Sequence, residues 1–247
     1  MIDLSNRTVL ITGCSGGIGT GIAKVLNRAN ANIIIHFHKN KSKAQALLSQ
    51  LDGKENQIVQ ADLSDPEQVK NMFGEIKSTA GKLDVLVNNA GIISSDSLCF
   101  RFKLNDWQAP IQTNLTSVFN CAKEAVRLLR KSDQARIINI ASVAGSIPFP
   151  GQSSYAASKA AIISFSKTMA LELSSWKILV NTVSPGLIDA GMHDNFSDEH
   201  KERYLKNIPL QRFGQAEEIG NIVAFLASNL SSYITGREFI VDGGLLP

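Results

Sequence analysis

A tyrosine and a lysine in this chain have the spacing that acid–base chemistry requires. Tyr155 and Lys159 are four residues apart and would share one face of a helix, with Ser142 thirteen residues upstream. A free phenol has a pKa of about 10, and a neighbouring ammonium lowers it by favouring the phenolate. The pair therefore predicts that Tyr155 is a general acid for a carbonyl oxygen that receives a hydride. An ordinary exposed helix pair is the alternative.

A glycine-rich turn near the start of the chain suggests a phosphate site. An apolar, β-prone run at residues 8–11 precedes the turn, and a helical stretch at residues 20–27 follows it. This strand–turn–helix unit holds phosphates in dinucleotide-binding folds. Gly13 would permit the tight turn, Gly17 the close approach of a pyrophosphate, and Gly19 close helix–strand packing. The spacing is Gly-x-x-x-Gly-x-Gly rather than the commoner Gly-x-Gly-x-x-Gly, and a turn without a ligand is the alternative.

The composition narrows the class of protein. The 247 residues suffice for one large α/β domain, and 44% of them are hydrophobic, as in ordinary globular proteins. The net charge is only +3 and no dense Lys/Arg block occurs, so we predict no nucleic-acid partner.

Cysteine usage and hydropathy bear on location. Cys14, Cys99 and Cys121 are widely spaced and odd in number, which fits neither a disulfide framework nor a zinc site and indicates a reducing compartment. No signal segment precedes the first strand. The longest uncharged stretch, residues 137–158, is interrupted by Gly, Pro and Ser and is no membrane helix. We therefore expect a cytoplasmic protein without a membrane partner.

The hydrophobic pattern alternates between strands and helices along almost the whole chain. Strands are predicted at 8–11, 33–37, 57–61, 83–87, 136–140, 179–183 and 238–241, with helices at 42–51, from 64–67 onward, at 154–173 and at 217–226. This rhythm predicts an α/β fold with a doubly wound parallel sheet in one Rossmann-like domain spanning residues 1–247. Residues 187–207 are polar and weakly patterned, which predicts a substrate loop.

Several motifs in register resemble those of the short-chain dehydrogenase/reductase family over essentially the whole chain. They are Thr12-Gly13-x-x-x-Gly17-Ile18-Gly19, Asn88-Asn89-Ala90-Gly91, Asn114, Ser142, Tyr155-x-x-x-Lys159 and Pro185-Gly186. Within that family, residues 208–214 and 233–244 look most like those of 3-oxoacyl-(acyl-carrier-protein) reductases.

The resemblance assigns a role to each catalytic residue. Tyr155 would deliver a proton to the substrate carbonyl, which Ser142 would orient through its hydroxyl. Lys159 would tune Tyr155 and hold the nicotinamide ribose. Asn114 would anchor a water that relays protons towards Lys159.

The resemblance also implies a set of nicotinamide-cofactor contacts. Asp62 would accept from the adenine amino group, with capping of the following helix as an equal alternative. The Asn-Asn-Ala-Gly segment would meet the adenosine side or only stabilise the sheet, and Pro185 and Ile188 would flank the nicotinamide. The expected contact residues are Gly13, Ser15, Gly17, Ile18, Gly19, His38, Lys39, Asp62, Leu63, Asn89, Ala90, Gly91, Tyr155, Lys159, Pro185, Gly186 and Ile188.

The end of the second strand predicts NADPH rather than NADH. NAD-dependent relatives usually place an acid there, but this chain has Phe37, with His36, His38 and Lys39 around it and no carboxylate in that segment. Cations could pair with a 2′-phosphate. Gly16 stands where many NADPH-using relatives carry Arg. The alternatives are a solvated charged turn and a metal site at the two histidines, which lacks a third ligand in the sequence; we predict no metal.

The predicted reaction is reduction of a 3-oxoacyl thioester on acyl carrier protein. Reduction of a free ketone or a coenzyme A thioester is the alternative, because Asp133 and Trp176 stand where carrier-using relatives have basic residues. Ala190 likewise replaces a usual Thr. A catalytically idle nucleotide-sensing protein of the same fold is a third possibility, against which the complete catalytic set argues. The resemblance also implies a homotetramer.

Overall fold

Parallel strands form the centre of the computed structural model, which describes residues 2–53, 55–93, 97–190 and 204–246. In this described part, seven strands pair in parallel in the order β3-β2-β1-β4-β5-β6-β9. They are β1 Thr8–Ile11, β2 Asn32–Phe37, β3 Gln57–Gln60, β4 Val85–Asn88, β5 Arg136–Ile140, β6 Leu179–Pro185 and β9 Glu238–Val241, and a separate short pair consists of β7 Ile188–Asp189 and β8 Gly214–Gln215. The predicted α/β fold with a doubly wound parallel sheet is confirmed.

Helices cover both faces of this sheet. They are α1 Gly17–Arg28, α2 Lys41–Leu48, α3 Pro66–Thr79, α4 Leu104–Pro110, α5 Ser117–Leu129, α6 Ser153–Glu172 and α7 Ala216–Ala227. The central strand shows how the faces divide, because successive side chains of a strand point to opposite sides. Val9 and Ile11 pack in the core under α1, α2 and α7, whereas Leu10 packs in the core under α3, α5 and α6.

A π-helical segment interrupts the helix that leads into the sheet core. Ile111–Thr116 adopts this geometry between α4 and α5, and it contains Asn114. Pro110 ends α4 and has no N–H for the regular helical ladder, so the chain changes its hydrogen bonding there. Asn114 therefore lies within a continuous helical run that precedes β5.

The helix after β3 begins with a cap that the sequence analysis did not choose. The carboxylate of Asp65 accepts from the N–H groups of Glu67 and Gln68, and Pro66 occupies the first turn. Asp62 instead accepts from the N–H and hydroxyl of Ser64. The alternative role of Asp62 as a helix cap was therefore wrong.

The predicted substrate loop lies partly outside the described residues, which omit 191–203. Of its described part, residues 188–189 form β7, which pairs with β8, and residues 204–205 are helical. Among the described residues, no helix combines the length and the apolar character needed to cross a membrane.

Candidate active site

The carboxyl ends of β1, β4, β5 and β6 surround a cavity of about 470 Å³. Open parallel sheets bind ligands at this edge, and small-molecule sites typically measure about 300–1,000 Å³. All of the predicted cofactor-contact residues line this cavity, together with Ser142. The structure thus brings the separate motifs together, while contact with a cofactor remains a prediction for each residue.

Other residues pack so closely against the glycines of the turn that a side chain at these positions would collide with them. Gly13 has a φ of +63°, and a Cβ on it would lie 2.7 Å from Cα of Ala90. A Cβ on Gly19 would lie 2.7 Å from Nδ2 of Asn89, and one on Gly17 would collide with the carbonyl of Ala190. The tight turn at Gly13 and the close packing at Gly19 are confirmed. Besides its predicted role, Gly17 leaves room for Ala190, the residue that follows β7.

The start of α1 is suited to an anion. Gly16 precedes the helix and has no side chain to cap it, and the first turn carries no acidic residue. The first N–H groups of a helix lack intrahelical partners and form the positive end of its dipole. The glycines of the turn and the uncapped N–H groups of the helix together fit the pyrophosphate of a dinucleotide.

The Asn-Asn-Ala-Gly segment joins the ends of β1 and β4. Nδ2 of Asn89 donates to the carbonyls of Thr12 (2.9 Å) and Gly13 (3.2 Å). The hydroxyl of Thr12 accepts from the N–H groups of Asn89 (2.9 Å) and Ala90 (3.0 Å). The segment therefore stabilises the sheet while Asn89, Ala90 and Gly91 also line the cavity.

The rim of the cavity beside β2 contains the predicted contact residues His38, Lys39 and Asp62. Nε2 of His38 lies 3.7 Å from Oδ2 of Asp62. Hydrogen bonds from Ser64 lower the pKa of Asp62, with smaller contributions from His38 and Lys39. The segment at the end of β2 carries no carboxylate of its own, and Asp62 reaches this rim from the end of β3, which pairs with β2.

His36 occupies the floor of the cavity and not a metal site. It is buried, its Nδ1 lies 3.0 Å from the N–H of Gly13, and its Nε2 lies 3.0 Å from the carbonyl of Ala61. Both ring nitrogens are thus engaged, so the alternative of a metal shared with His38 is wrong. The described residues contain no group of three or more metal-ligating side chains.

Three side chains meet at the inner end of the cavity. The hydroxyl of Ser142 accepts from the N–H of Ala144 (3.1 Å) and lies near enough to the phenol of Tyr155 to lower the pKa of that phenol. Nζ of Lys159 donates to the carbonyl of Ile140 (2.9 Å) and lies 5.7 Å from the centroid of the Tyr155 ring. The helical spacing of Tyr155 and Lys159 thus places both at one site, and the alternative of an exposed pair was wrong.

The pKa of Tyr155 shifts in the direction opposite to the one predicted. Burial raises it, and the hydrogen bond with Ser142 opposes the rise. Burial also lowers the pKa of Lys159 to about 8, and its ammonium points at Ile140 rather than at the phenol oxygen. Tyr155 therefore holds its proton at neutral pH, which is the state that a general acid requires.

Asn114 lies behind the cavity and does not line it. Its amide exchanges two hydrogen bonds with the backbone of Ile92 (2.8 and 3.0 Å) and donates to the hydroxyl of Ser158 (3.0 Å). It thereby fastens the segment after β4 to α6. A Cβ on Gly91 would lie 3.2 Å from Oδ1 of Asn114 and 3.5 Å from Nζ of Lys159. The water relay through Asn114 remains a prediction.

Another wall of the cavity is formed by the end of β6 and the residues that follow it. A Cβ on Gly186 would lie 2.7 Å from Cα of Asp242, so this turn admits only glycine without rearrangement. Ile188 is buried in β7. Gln152, which the sequence analysis overlooked, also lines the cavity beside Tyr155; its position just before a predicted helix was the only signal.

The two residues that suggested a free-ketone substrate lie at the edge of the sheet opposite this cavity. Asp133 and Trp176 precede β5 and β6, at the amino ends of the strands, whereas Ser142 and Tyr155 lie at the carboxyl ends. The guanidinium of Arg130 lies 4.6 Å from the ring centroid of Trp176. Arg130 therefore places a positive charge against Trp176 at this edge of the sheet.

A glycine-rich turn at the edge of a parallel sheet, in one cavity with a serine and a buried tyrosine and lysine, defines a nicotinamide-dependent oxidoreductase. Residues 13–246 match the family model described as "Enoyl-(Acyl carrier protein) reductase". The chain belongs to the short-chain dehydrogenase/reductase family.

Curated relatives match the chain along its whole length. A 3-oxoacyl-(acyl-carrier-protein) reductase of Staphylococcus aureus (strain N315) is 44% identical over 241 residues, which cover 97% of this chain and 98% of the relative. Enzymes of the same description from Synechocystis sp. (strain PCC 6803) and Rickettsia bellii (strain RML369-C) are 41% and 42% identical, over 100% of this chain and 99% of each relative. The predicted family and its oxidoreductase class are confirmed.

Proposed function

We propose that the protein reduces a 3-oxoacyl thioester of acyl carrier protein to the 3-hydroxyacyl thioester with NADPH. The observation that carries the proposal is that Ser142, Tyr155 and Lys159 line the same cavity as the glycine-rich turn. The names of the full-length relatives supply the substrate class.

The cofactor would lie along the cavity from the rim at β2 to the inner end. N–H groups at the start of α1 would hold its pyrophosphate, and His38 and Lys39 would pair with its 2′-phosphate. Lys159 would hold the nicotinamide ribose. When bound, NADPH supplies the hydride for the ketone carbon.

The side chains at the inner end manage the charge on the ketone oxygen. The hydroxyl of Ser142 donates to that oxygen and stabilises the negative charge as it develops. Tyr155 transfers its phenolic proton to the same oxygen and completes the alcohol. The ammonium of Lys159 stabilises the phenolate that remains, and this phenolate then takes a proton from solvent.

The decisive experiment compares acetoacetyl groups on two carriers. NADPH oxidation is followed with acetoacetyl-acyl carrier protein and with acetoacetyl-coenzyme A at equal concentration. We expect a much larger kcat/KM with the protein carrier. Equal values, or no turnover on the protein carrier, would refute the carrier assignment and favour a free ketone or a coenzyme A thioester, as Asp133 and Trp176 suggested.

We further propose that the chain is a single domain over residues 1–247 and assembles into a homotetramer in the cytoplasm. Support for assembly comes from exposed apolar side chains on neighbouring helices, with Phe119 of α5 exposed by 49% and Leu171 of α6 by 78%. The free cysteines Cys14, Cys99 and Cys121 accord with a reducing compartment.

A further inference from the structure

A buried histidine lies directly beneath the glycine-rich turn. The N–H of Gly13 can only donate and the carbonyl of Ala61 can only accept, and each lies 3.0 Å from one ring nitrogen of His36. Nδ1 of His36 is therefore the acceptor and Nε2 carries the proton. The two partners fix one neutral tautomer of the imidazole.

This histidine holds two successive residues of the turn. Its ring accepts from the N–H of Gly13, and its backbone carbonyl accepts from the N–H of Cys14 (3.0 Å). The carbonyl of Gly13 is engaged on the other side, by the N–H of Gly16 (3.2 Å) and by Asn89. The conformation of Gly13, with its φ of +63°, is thus fixed from both ends.

We propose that His36 is a positioning residue for the cofactor: its bare Nδ1 fixes Gly13, and the turn then presents its later N–H groups, from Ser15 onward, to the dinucleotide pyrophosphate. The proposal rests on the proposed function, because it requires a dinucleotide. Burial lowers the pKa of His36 to about 4, so the neutral ring that this role needs persists at neutral pH. Because the pyrophosphate is common to both cofactors, His36 serves NADPH and NADH alike.

Two substitutions separate the two hydrogen bonds of the ring. In His36→Asn, the amide oxygen can occupy the place of Nδ1 and accept from Gly13, while the bond to Ala61 is lost. In His36→Gln, the longer amide can donate to Ala61, while the acceptor for Gly13 is lost. Each variant thus loses one buried hydrogen bond, but only His36→Gln loses the one that holds Gly13.

The readout is cofactor affinity of the full chain without any ketone, from fluorescence titration with NADPH and with NADH. We expect His36→Gln to raise Kd for both cofactors by about tenfold, the order expected for one hydrogen bond, and His36→Asn to stay near wild type. Equal affinities of the two variants would overturn the proposal. Failure of the wild-type chain to bind either cofactor would overturn the proposed function itself, and this proposal with it.

Two further measurements guard against a purely structural effect. Asn181 in β6 also bridges an N–H, that of Arg237 (3.1 Å), and a carbonyl, that of Ile234 (2.8 Å), so Asn181→Ala should lower Tm without changing Kd. In the unmodified protein, ¹⁵N NMR of labelled histidine should show His36 protonated at Nε2. The opposite tautomer, or a loss of affinity in Asn181→Ala equal to that in His36→Gln, would contradict the proposal.

Discussion

Tyr155 is subject to two opposing effects on its pKa. Burial favours the neutral phenol, while the hydrogen bond from Ser142 favours the phenolate. The result is a phenol that keeps its proton until a neighbouring oxygen gains negative charge. Proton transfer from Tyr155 is then driven by the negative charge on that oxygen and assisted by the ammonium of Lys159.

Replacing Tyr155 tests this assignment. Tyr155→Phe removes the proton donor but keeps the ring in its buried place, so we expect kcat to fall by about 10²- to 10⁴-fold while the Kd for NADPH changes little. Stopped-flow turnover and fluorescence titration measure the two quantities. Turnover near the wild-type rate would show that another group delivers the proton.

The buried Lys159 should make cofactor affinity sensitive to alkaline pH. Because its pKa is lowered to about 8, Lys159 loses its charge as pH rises through that value, and its proposed contact with the cofactor ribose should weaken. We expect Kd for NADPH to increase across this range in the wild type. Lys159→Arg, which keeps its charge, should show no such increase. A wild-type Kd that is constant from one pH unit below this pKa to one above it would contradict the expectation.

The spacing of Tyr155 and Lys159 sufficed to predict that the two side chains lie at one site, but not the direction in which their pKa values shift. Helical periodicity is a local property and can be read from the sequence. The depth at which α6 buries both side chains depends on the packing of β5 and the turn at Ser142, and no local pattern encodes it.

The elements around the turn were predicted for the same local reason. β1, β5 and β9 have the predicted bounds, and the apolar runs of β1 and β9 end at the polar residues Thr12 and Asp242. The π segment at Ile111–Thr116 was not foreseen, although Pro110, which lacks the N–H that a regular helix needs, lies directly before it in the sequence.

Two glycines in helices should respond oppositely to alanine. In α1, a Cβ on Gly19 would meet Asn89 at 2.7 Å and Gly13 O at 2.8 Å, so Gly19→Ala should lower the free energy of unfolding by about 1–3 kcal/mol. In α3, a Cβ on Gly74 would meet no described atom within 4 Å outside its own stretch of helix, and Gly74→Ala should raise that free energy by about 0.5–1 kcal/mol. Urea denaturation measures both; changes of equal sign would refute the role of close packing.

Assembly would cover the apolar outer surface of α5 and α6. The rings of Phe119 and Phe165 lie 6.4 Å apart and join the two helices on this side. We expect sedimentation velocity to give a mass near four times the 26.7 kDa of one chain. Phe119→Asp should reduce this mass, while Lys77→Glu on the exposed side of α3 should not. A monomeric wild type would contradict the proposed tetramer.

The parallel order of the sheet also has a kinetic consequence. The central strand β1 pairs with β2 and with β4, and Val9 finds its partners at Ile33 and at the much more distant Val85. Such contacts require the closure of long loops, so folding should be slow. The cradle built from the ends of these strands arises only when they have come together. NADPH should therefore prolong the lifetime of the native state by slowing unfolding, and leave the rate of refolding unchanged in stopped-flow experiments.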